Sequence, residues 1–264
     1  MTVKESSVDL YYFTGTGNTL LAAREVAETL RKGGKTVRLL RIEKGLRPLE
    51  EDCALGIAST IAVFSTYPFV WKALQDLPEG RGRSAFLIST MAGASVGGFR
   101  APLKRLLEKK GYVPLGTGEF LMPSNYARTG PDDGKDRETI EAMRPAAAAF
   151  GRELLEGRAK WKGGTPLSSF ACWLAGKKFP WRFMARRLPL AVDREKCIQC
   201  GKCARLCPVK NIRMETWPVF LDRCVACQRC MGFCPPGAIS VEGKNYRQYR
   251  TVEYGDLVGE DQRK

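Results

Sequence analysis

The sequence predicts an α/β chain: a doubly wound, parallel five-stranded sheet followed by a small, cysteine-rich α+β domain. Three observations predict it. Short runs of β-forming apolar residues alternate with amphipathic helical stretches up to residue 156, the pattern of βαβ units. The first such run leads through a Thr/Gly loop straight into a helix. Eight of the ten cysteines fall in two runs of identical spacing after residue 196.

Val8–Phe13 is rich in β-formers and reads as the first strand. Leu20–Lys32 sets Leu20, Leu21, Val26, Ala27 and Leu30 at helical spacing and stops at Gly33-Gly34. Thr36–Ile42 is the second strand, and Leu46–Ala54 has too little periodicity for a helix. Leu55–Phe64 is a continuous apolar run, which suits a third strand covered on both faces. Ser84–Ser89 gives the fourth strand, and Tyr112–Leu121 contains the fifth. Pro68–Leu77, Phe99–Lys110 and Arg137–Glu156 carry helical periodicity, the last with Pro145 as a point of bending. Arg128–Arg137 reads as a Gly/Pro/Asp surface connection.

Between the first strand and helix stands Thr14-Gly15-Thr16-Gly17-Asn18-Thr19. A strand, a Gly-containing loop and a helix N-terminus make an anion site, because backbone N–H groups converge there. The loop lacks the Lys of a nucleotide-triphosphate loop, and Leu20 stands where a dinucleotide fingerprint needs its third Gly. Its hydroxyl-rich, uncharged pattern resembles the FMN-phosphate loop of flavodoxins.

Cys197, Cys200, Cys203 and Cys207 read C-x2-C-x2-C-x3-C, followed by Pro208; Cys224, Cys227, Cys230 and Cys234 repeat it 27 residues later, followed by Pro235. This run is the bacterial ferredoxin signature for 4Fe–4S clusters, in which the fourth Cys of each run ligates the other cluster. Two clusters follow: one on Cys197, Cys200, Cys203 and Cys234, the other on Cys224, Cys227, Cys230 and Cys207. A disulfide framework fits poorly, since no secretory signal precedes it and the spacing is metal-like. Structural zinc fits poorly too, since its knuckles stand farther apart and the chain has no histidine. Ile212 and Ile239 lie five residues beyond the last cysteine of each run and suit a pseudo-symmetric core. Cys53 and Cys172 stand outside the pattern and read as small buried hydrophobes. Oxygen-sensitive clusters, with no signal-peptide core and no apolar run near the ~20 residues of a membrane span, predict a cytoplasmic protein.

Together the TGTGNT loop, the eight cysteines and Met122-Pro123-Ser124-Asn125-Tyr126 resemble the prokaryotic flavodoxin–ferredoxin fusion family. The resemblance implies a flavodoxin-like strand order 2-1-3-4-5, with FMN at the carboxyl ends of strands 1, 3 and 4. The implied FMN residues are Thr14–Thr19; Ser65, Thr66 and Tyr67 after strand 3; and Thr90, Met91, Ala92, Gly93, Gly97 and Gly98 after strand 4. Tyr67 or Trp71 would stack on the ring, although aromatics beside an apolar strand usually belong to the core. The second loop departs from the family, with Thr60-Ile61-Ala62-Val63-Phe64-Ser65 in place of a proline–aromatic pair and a later glycine. The expected domains are 1–158 (flavodoxin-like), 159–190 (connector), 191–243 (two-cluster ferredoxin) and 244–264 (tail).

Net charge is +15, with 24 basic against 19 acidic residues up to residue 160 and 19 against 9 beyond. Clusters and FMN phosphate, at roughly −2 each, offset only part of it. From Arg158 to Arg187 there are eight Lys or Arg and no acid, interleaved with Trp161, Phe170, Trp173, Phe179, Trp181 and Phe183. The plainest reading is an interdomain connector with a buried apolar face and a solvated basic one. Docking of an acidic redox protein comes next, ahead of an anionic membrane surface or a nucleic acid.

The predicted function is conversion between single electrons on the clusters and electron pairs on FMN. A flavin-dependent reductase of a small acceptor is the alternative, with Asn125, Tyr126 and Arg128 as the nearest polar contacts. A nucleic-acid-binding protein with structural clusters is disfavoured. Should clusters and flavin lie far apart within one chain, transfer between subunits of a homodimer becomes the route.

Overall fold

The computed structural model describes residues 1–48, 50–93, 97–125, 133–164, 170, 172, 178–244 and 246–259. Strands β1 (Ser7–Tyr12), β2 (Thr36–Arg41), β3 (Cys53–Thr60), β4 (Ser84–Met91) and β5 (Val113–Leu121) form one sheet in the order β2-β1-β3-β4-β5. All four pairings are parallel. Between them run α1 (Asn18–Lys32), α2 (Pro68–Gln75), α3 (Gly97–Lys109) and, after β5, α4 (Asp133–Glu156).

Alternation along each strand divides the core into two layers. Leu10 and Tyr12 of β1 join Ala54, Ala58, Phe86 and Ile88 under α1 and α4, where Val26, Leu30, Phe150 and Leu154 pack. Tyr11 and Phe13 join Leu55, Ile57, Ala85 and Leu87 under α2 and α3, against Val70, Leu74, Phe99 and Leu103. Both faces are covered, so β4 is buried at every residue, which is why the inner strands read as continuous apolar runs. The order of strand addition reverses between β1 and β3, and the loops leaving their carboxyl ends diverge there to open a crevice.

Several boundaries differ from expectation, two of them beside the crevice. The third strand ends at Thr60, not Phe64. Ile61 still donates its N–H to Thr90 O at 2.8 Å, but the chain then turns through Val63 and Phe64, at φ 50° and 60°, and Ala62 pairs with Ser65. The apolar character of 61–64 serves a loop wall rather than a strand, and Phe64 is left 73% exposed. Helix α1 begins at Asn18, after Gly17 at φ 108°, so Asn18 and Thr19 belong to its first turn. Pro145 sits inside α4.

The connector contains α5 (Lys178–Arg187), which leads into the cysteine region. There β6 (Leu190–Val192) pairs antiparallel with β9 (Ile239–Val241), and β7 (Ile212–Met214) with β8 (Pro218–Phe220). Short helices α6 (Lys202–Leu206) and α7 (Arg229–Gly232) follow the cysteine loops. Ile212 and Ile239 are both buried.

The stretch after residue 243 returns to the sheet domain. Its helix α8 (Tyr254–Gly259) buries Leu257 in the α1/α4 layer, and Asp256 pairs with Arg24 at 3.2 Å.

Candidate functional site

The two cysteine runs repeat each other in backbone geometry as well as in spacing. Two and four residues after the first Cys stand Gln199 and Gly201 in one run, Ala226 and Gln228 in the other, all at positive φ between 54° and 67°. Three residues after the last Cys stand Lys210 and Gly237, at φ 51° and 66°. Such alternation turns successive N–H groups inward and builds an anion-accepting nest. Asn211 N–H points at Cys207 Sγ at 3.1 Å, and Ala238 N–H at Cys234 Sγ at 3.2 Å, the same offset in each half.

The folded halves bring the thiols together in crossed sets. One enclosed apolar cavity is lined by Cys224, Cys227, Cys230 and Cys207, the other by Cys197, Cys200, Cys203 and Cys234. Among the described residues no three of these side chains close tightly enough to hold a single ion. Burial pushes the thiols of Cys203, Cys224, Cys230 and Cys234 above their ordinary range, and that of Cys227 up to about 12. Thiolate ligation therefore has to displace protons. The donor set fits an iron–sulfur cluster in each cavity: four sulfurs, N–H groups directed at sulfur, and no carboxylate among the described lining residues.

At the carboxyl edge of the sheet lies a cavity of about 200 Å³. A single water needs on the order of 10–15 Å³ by the same measure, so the cavity suits a much larger ligand. Thr14, Gly15, Thr16, Asn18, Thr19 and Asn125 give it a polar end, with no Lys or Arg among the described lining residues. Ile61, Val63, Tyr67, Met91 and Trp181 give it an apolar wall. Thr90 and Ala92 also line it, and Thr90 Oγ1 meets Thr19 Oγ1 at 2.7 Å. A polar, hydroxyl-rich end joined to an apolar slot matches the two ends of FMN.

Several expected residues lie elsewhere. Ser65 and Thr66 do not line the cavity: Ser65 Oγ accepts from Trp71 Nε1 at 2.9 Å and meets Cys172 Sγ, while Thr66 Oγ1 bonds Ser59 Oγ at 2.6 Å. Gly93 is exposed, and Gly98, in the first turn of α3, is buried outside the lining. Gly17 is buried against Thr251 and Val252 and does not line the cavity. Trp71 packs edge-on against Phe99 as core, and Cys53 and Cys172 are buried. Tyr126 and Arg128 lie outside the described residues.

The cysteine domain closes the cavity. Val225 and Ala226, from the second cysteine loop, line both this cavity and the one between Cys207, Cys224, Cys227 and Cys230. Trp181 and Met184 of α5 cover the apolar end, Trp181 packing on Tyr67 at 5.1 Å between centroids. Exposed Phe183, Arg186 and Arg187 occupy the outer face of the same helix. Gly15 meets the Cys227 carbonyl so closely that a Cβ would fall 2.2 Å from its oxygen. Sequence reading named none of Val225, Ala226 or Met184 for this site, since nothing local marks a residue that acts across a domain boundary.

Residues 190–241 match the family model of the 4Fe–4S dicluster domain. The chain joins a flavodoxin-like sheet domain to a 4Fe–4S dicluster domain. Solved structures similar to it include a flavodoxin from the domain Archaea, 14% identical over 54% of this chain and 97% of that one, with a TM-score of 0.37. Two-electron reduced Megasphaera elsdenii flavodoxin is 22% identical over 54% and 98%, with a TM-score of 0.35. RosB with a bound 8-demethyl-8-formylriboflavin-5′-phosphate intermediate is 14% identical over 66% and 87%, with a TM-score of 0.39. The strand order, rather than these likenesses, carries the flavodoxin-like assignment. No curated protein matches the chain. In the flavodoxin-like/dicluster chain no described helix is long and apolar enough to cross a membrane.

Proposed function

We propose that this chain is a cytoplasmic iron–sulfur flavoprotein that converts between single electrons and electron pairs. Two 4Fe–4S clusters would be held by Cys197, Cys200, Cys203 and Cys234, and by Cys224, Cys227, Cys230 and Cys207. FMN would be held by the 14–19 loop at its phosphate and by Tyr67, Met91, Ala92 and Trp181 around its ring. When bound, the clusters supply one-electron and the flavin two-electron chemistry. The chain's own residues supply position: Val225 and Ala226 separate the second cluster cavity from the flavin cavity, and Trp181 and Met184 cover the apolar end against water. The sharing of Val225 and Ala226 by the two cavities is the observation that carries this reading. Among the described residues the first cluster cavity is lined by residues 197–239 and by none from the sheet domain, which suits exchange with a partner. The partner we propose is an acidic one-electron protein that docks across the basic outer face of α5.

The test is cofactor content of anaerobically prepared protein, with a spectrum during dithionite titration. About eight iron and one FMN per chain, all reducible, is the expected result. Eight iron with no flavin retained after FMN is added would reject the flavoprotein part.

A further inference from the structure

The phosphate loop contains no basic residue, yet a guanidinium holds it from behind. Arg229 lies between Cys227 and Cys230 and is 1% exposed. Its Nε and Nη2 donate to Thr14 O at 3.0 and 2.7 Å, and its Nη1 donates to Glu43 Oε1 at 2.5 Å and Leu206 O at 3.2 Å. The guanidinium also lies over the Phe13 ring, 4.6 Å from its centroid. One side chain thus ties the second cysteine loop to the end of β1, to Glu43 after β2 and to the first cysteine run.

We infer that Arg229 is a positioning residue for the flavin-phosphate loop, so that the second cluster and the flavin stabilise each other's binding. The inference rests on the flavoprotein reading above. A trans peptide sets the carbonyl of one residue opposite the N–H of the next. Holding the Thr14 carbonyl on Arg229 therefore turns the Gly15 N–H away from Arg229, and Gly15 lines the flavin cavity. Thr16 shows the same device: its carbonyl accepts the Thr251 N–H at 2.9 Å, and the next N–H, of Gly17, returns to Thr14 Oγ1 at 3.0 Å. Tyr249 Oη adds a bond to Asn18 Oδ1 at 2.8 Å.

Arg229 can make this contact only while its loop is ordered, and small metal domains take their order from the metal. Linkage then runs both ways by one factor: whatever the cluster adds to flavin affinity, the flavin adds to cluster retention. Lysine keeps the charge but loses the planar fork that reaches Thr14, Glu43 and Leu206 together.

Two measurements on the full chain test it. FMN is titrated by fluorescence quenching into iron-loaded wild type, Arg229→Met and Arg229→Lys, with iron and sulfide counted in each. Iron loss to a chelator is also followed in wild type with and without saturating FMN. Both variants at full iron content should bind FMN about tenfold or more weakly, and FMN should slow the loss of about half the iron from wild type. Unchanged FMN affinity in iron-replete Arg229→Met overturns the inference. If that variant cannot be loaded, iron loss from wild type that is indifferent to FMN does so. Loaded wild type that binds no FMN at all sinks the underlying flavoprotein reading instead.

Discussion

Asp9 is fully buried on β1, and Arg38 on β2 reaches it at 2.6 Å while keeping about a third of its own side chain in water, 34%. The bond from Asp9, with a second from Glu50, holds Arg38 charged well above the ordinary arginine range. The two deletions are therefore unequal. Arg38→Met strands a carboxylate in the sheet and should cost about 3–5 kcal/mol. Asp9→Asn leaves a guanidinium that can rehydrate and should cost roughly 1–3 kcal/mol. Equal shifts in denaturation midpoint would contradict this order. Tyr112 is a second case, where burial raises the phenol from 10.0 to about 12 and its hydroxyl donates to Pro78 O at 3.1 Å. A raised folded-state pKa gives stability that is complete below pH 10 and is lost as pH climbs towards 12. Tyr112→Phe should flatten that alkaline decline. A parallel decline in variant and wild type would exclude Tyr112 as its source.

Among the elements, those set by local pattern were legible in the sequence. The five strands, the helices between them and the Gly-containing turn between β1 and α1 all follow from periodicity and Gly placement. The third strand was read too long because apolar residues 61–64 look alike whether they face a sheet or a cavity wall. The cysteine loops were legible because ligand spacing is itself a local pattern. Arg229 was not, because it acts on Thr14 across 215 residues of sequence and looks like any basic residue in a cysteine loop. Gly15 reads in sequence only as a glycine of the turn after the first strand; its contact with the Cys227 carbonyl depends on the docked domain. Gly15→Ala should lose about 1–3 kcal/mol from the interdomain contact, because the opposing atom is backbone and cannot swing aside. Hydrogen exchange would read this as faster opening around residues 225–232; unchanged protection there would rule out the contact as a constraint. In α5, Trp181 is buried and Arg186 and Arg187 are exposed, in line with a connector that buries apolar and solvates basic residues. If the outer face meets an acidic partner, Arg186→Glu should slow electron exchange with an acidic ferredoxin several-fold at low salt and much less at high salt. Rates indifferent to both the substitution and the salt would remove α5 as a docking face.

At the scale of the whole molecule, Val225 and Ala226 line both the second cysteine cavity and the cavity at the sheet edge, so with the proposed cofactors bound a single chain would suffice for electron transfer. Reduction of the flavin from the clusters should then be first order. Tenfold dilution before a rapid-mixing measurement should leave its rate unchanged, whereas a rate falling with concentration would assign the step to a pair of subunits. Domain order was legible in the sequence, but domain contact was not. The charge runs and aromatic residues of the connector describe a solvated linker as well as they describe a roof. Only the placement of Trp181 over Tyr67 distinguishes the two.

The return of the chain to its own beginning bears on the order in which the protein is made. Residues 249–257 hold Asn18, Thr16 and Tyr12, yet the ribosome makes them after the whole cysteine domain. The sheet can assemble early, but the phosphate loop lacks its outer support until synthesis has passed residue 257. If the loop takes flavin as proposed, its capture would be a late event in the protein's maturation, and a chain interrupted within the cysteine region would leave the 14–19 loop without the contacts from residues 249–257.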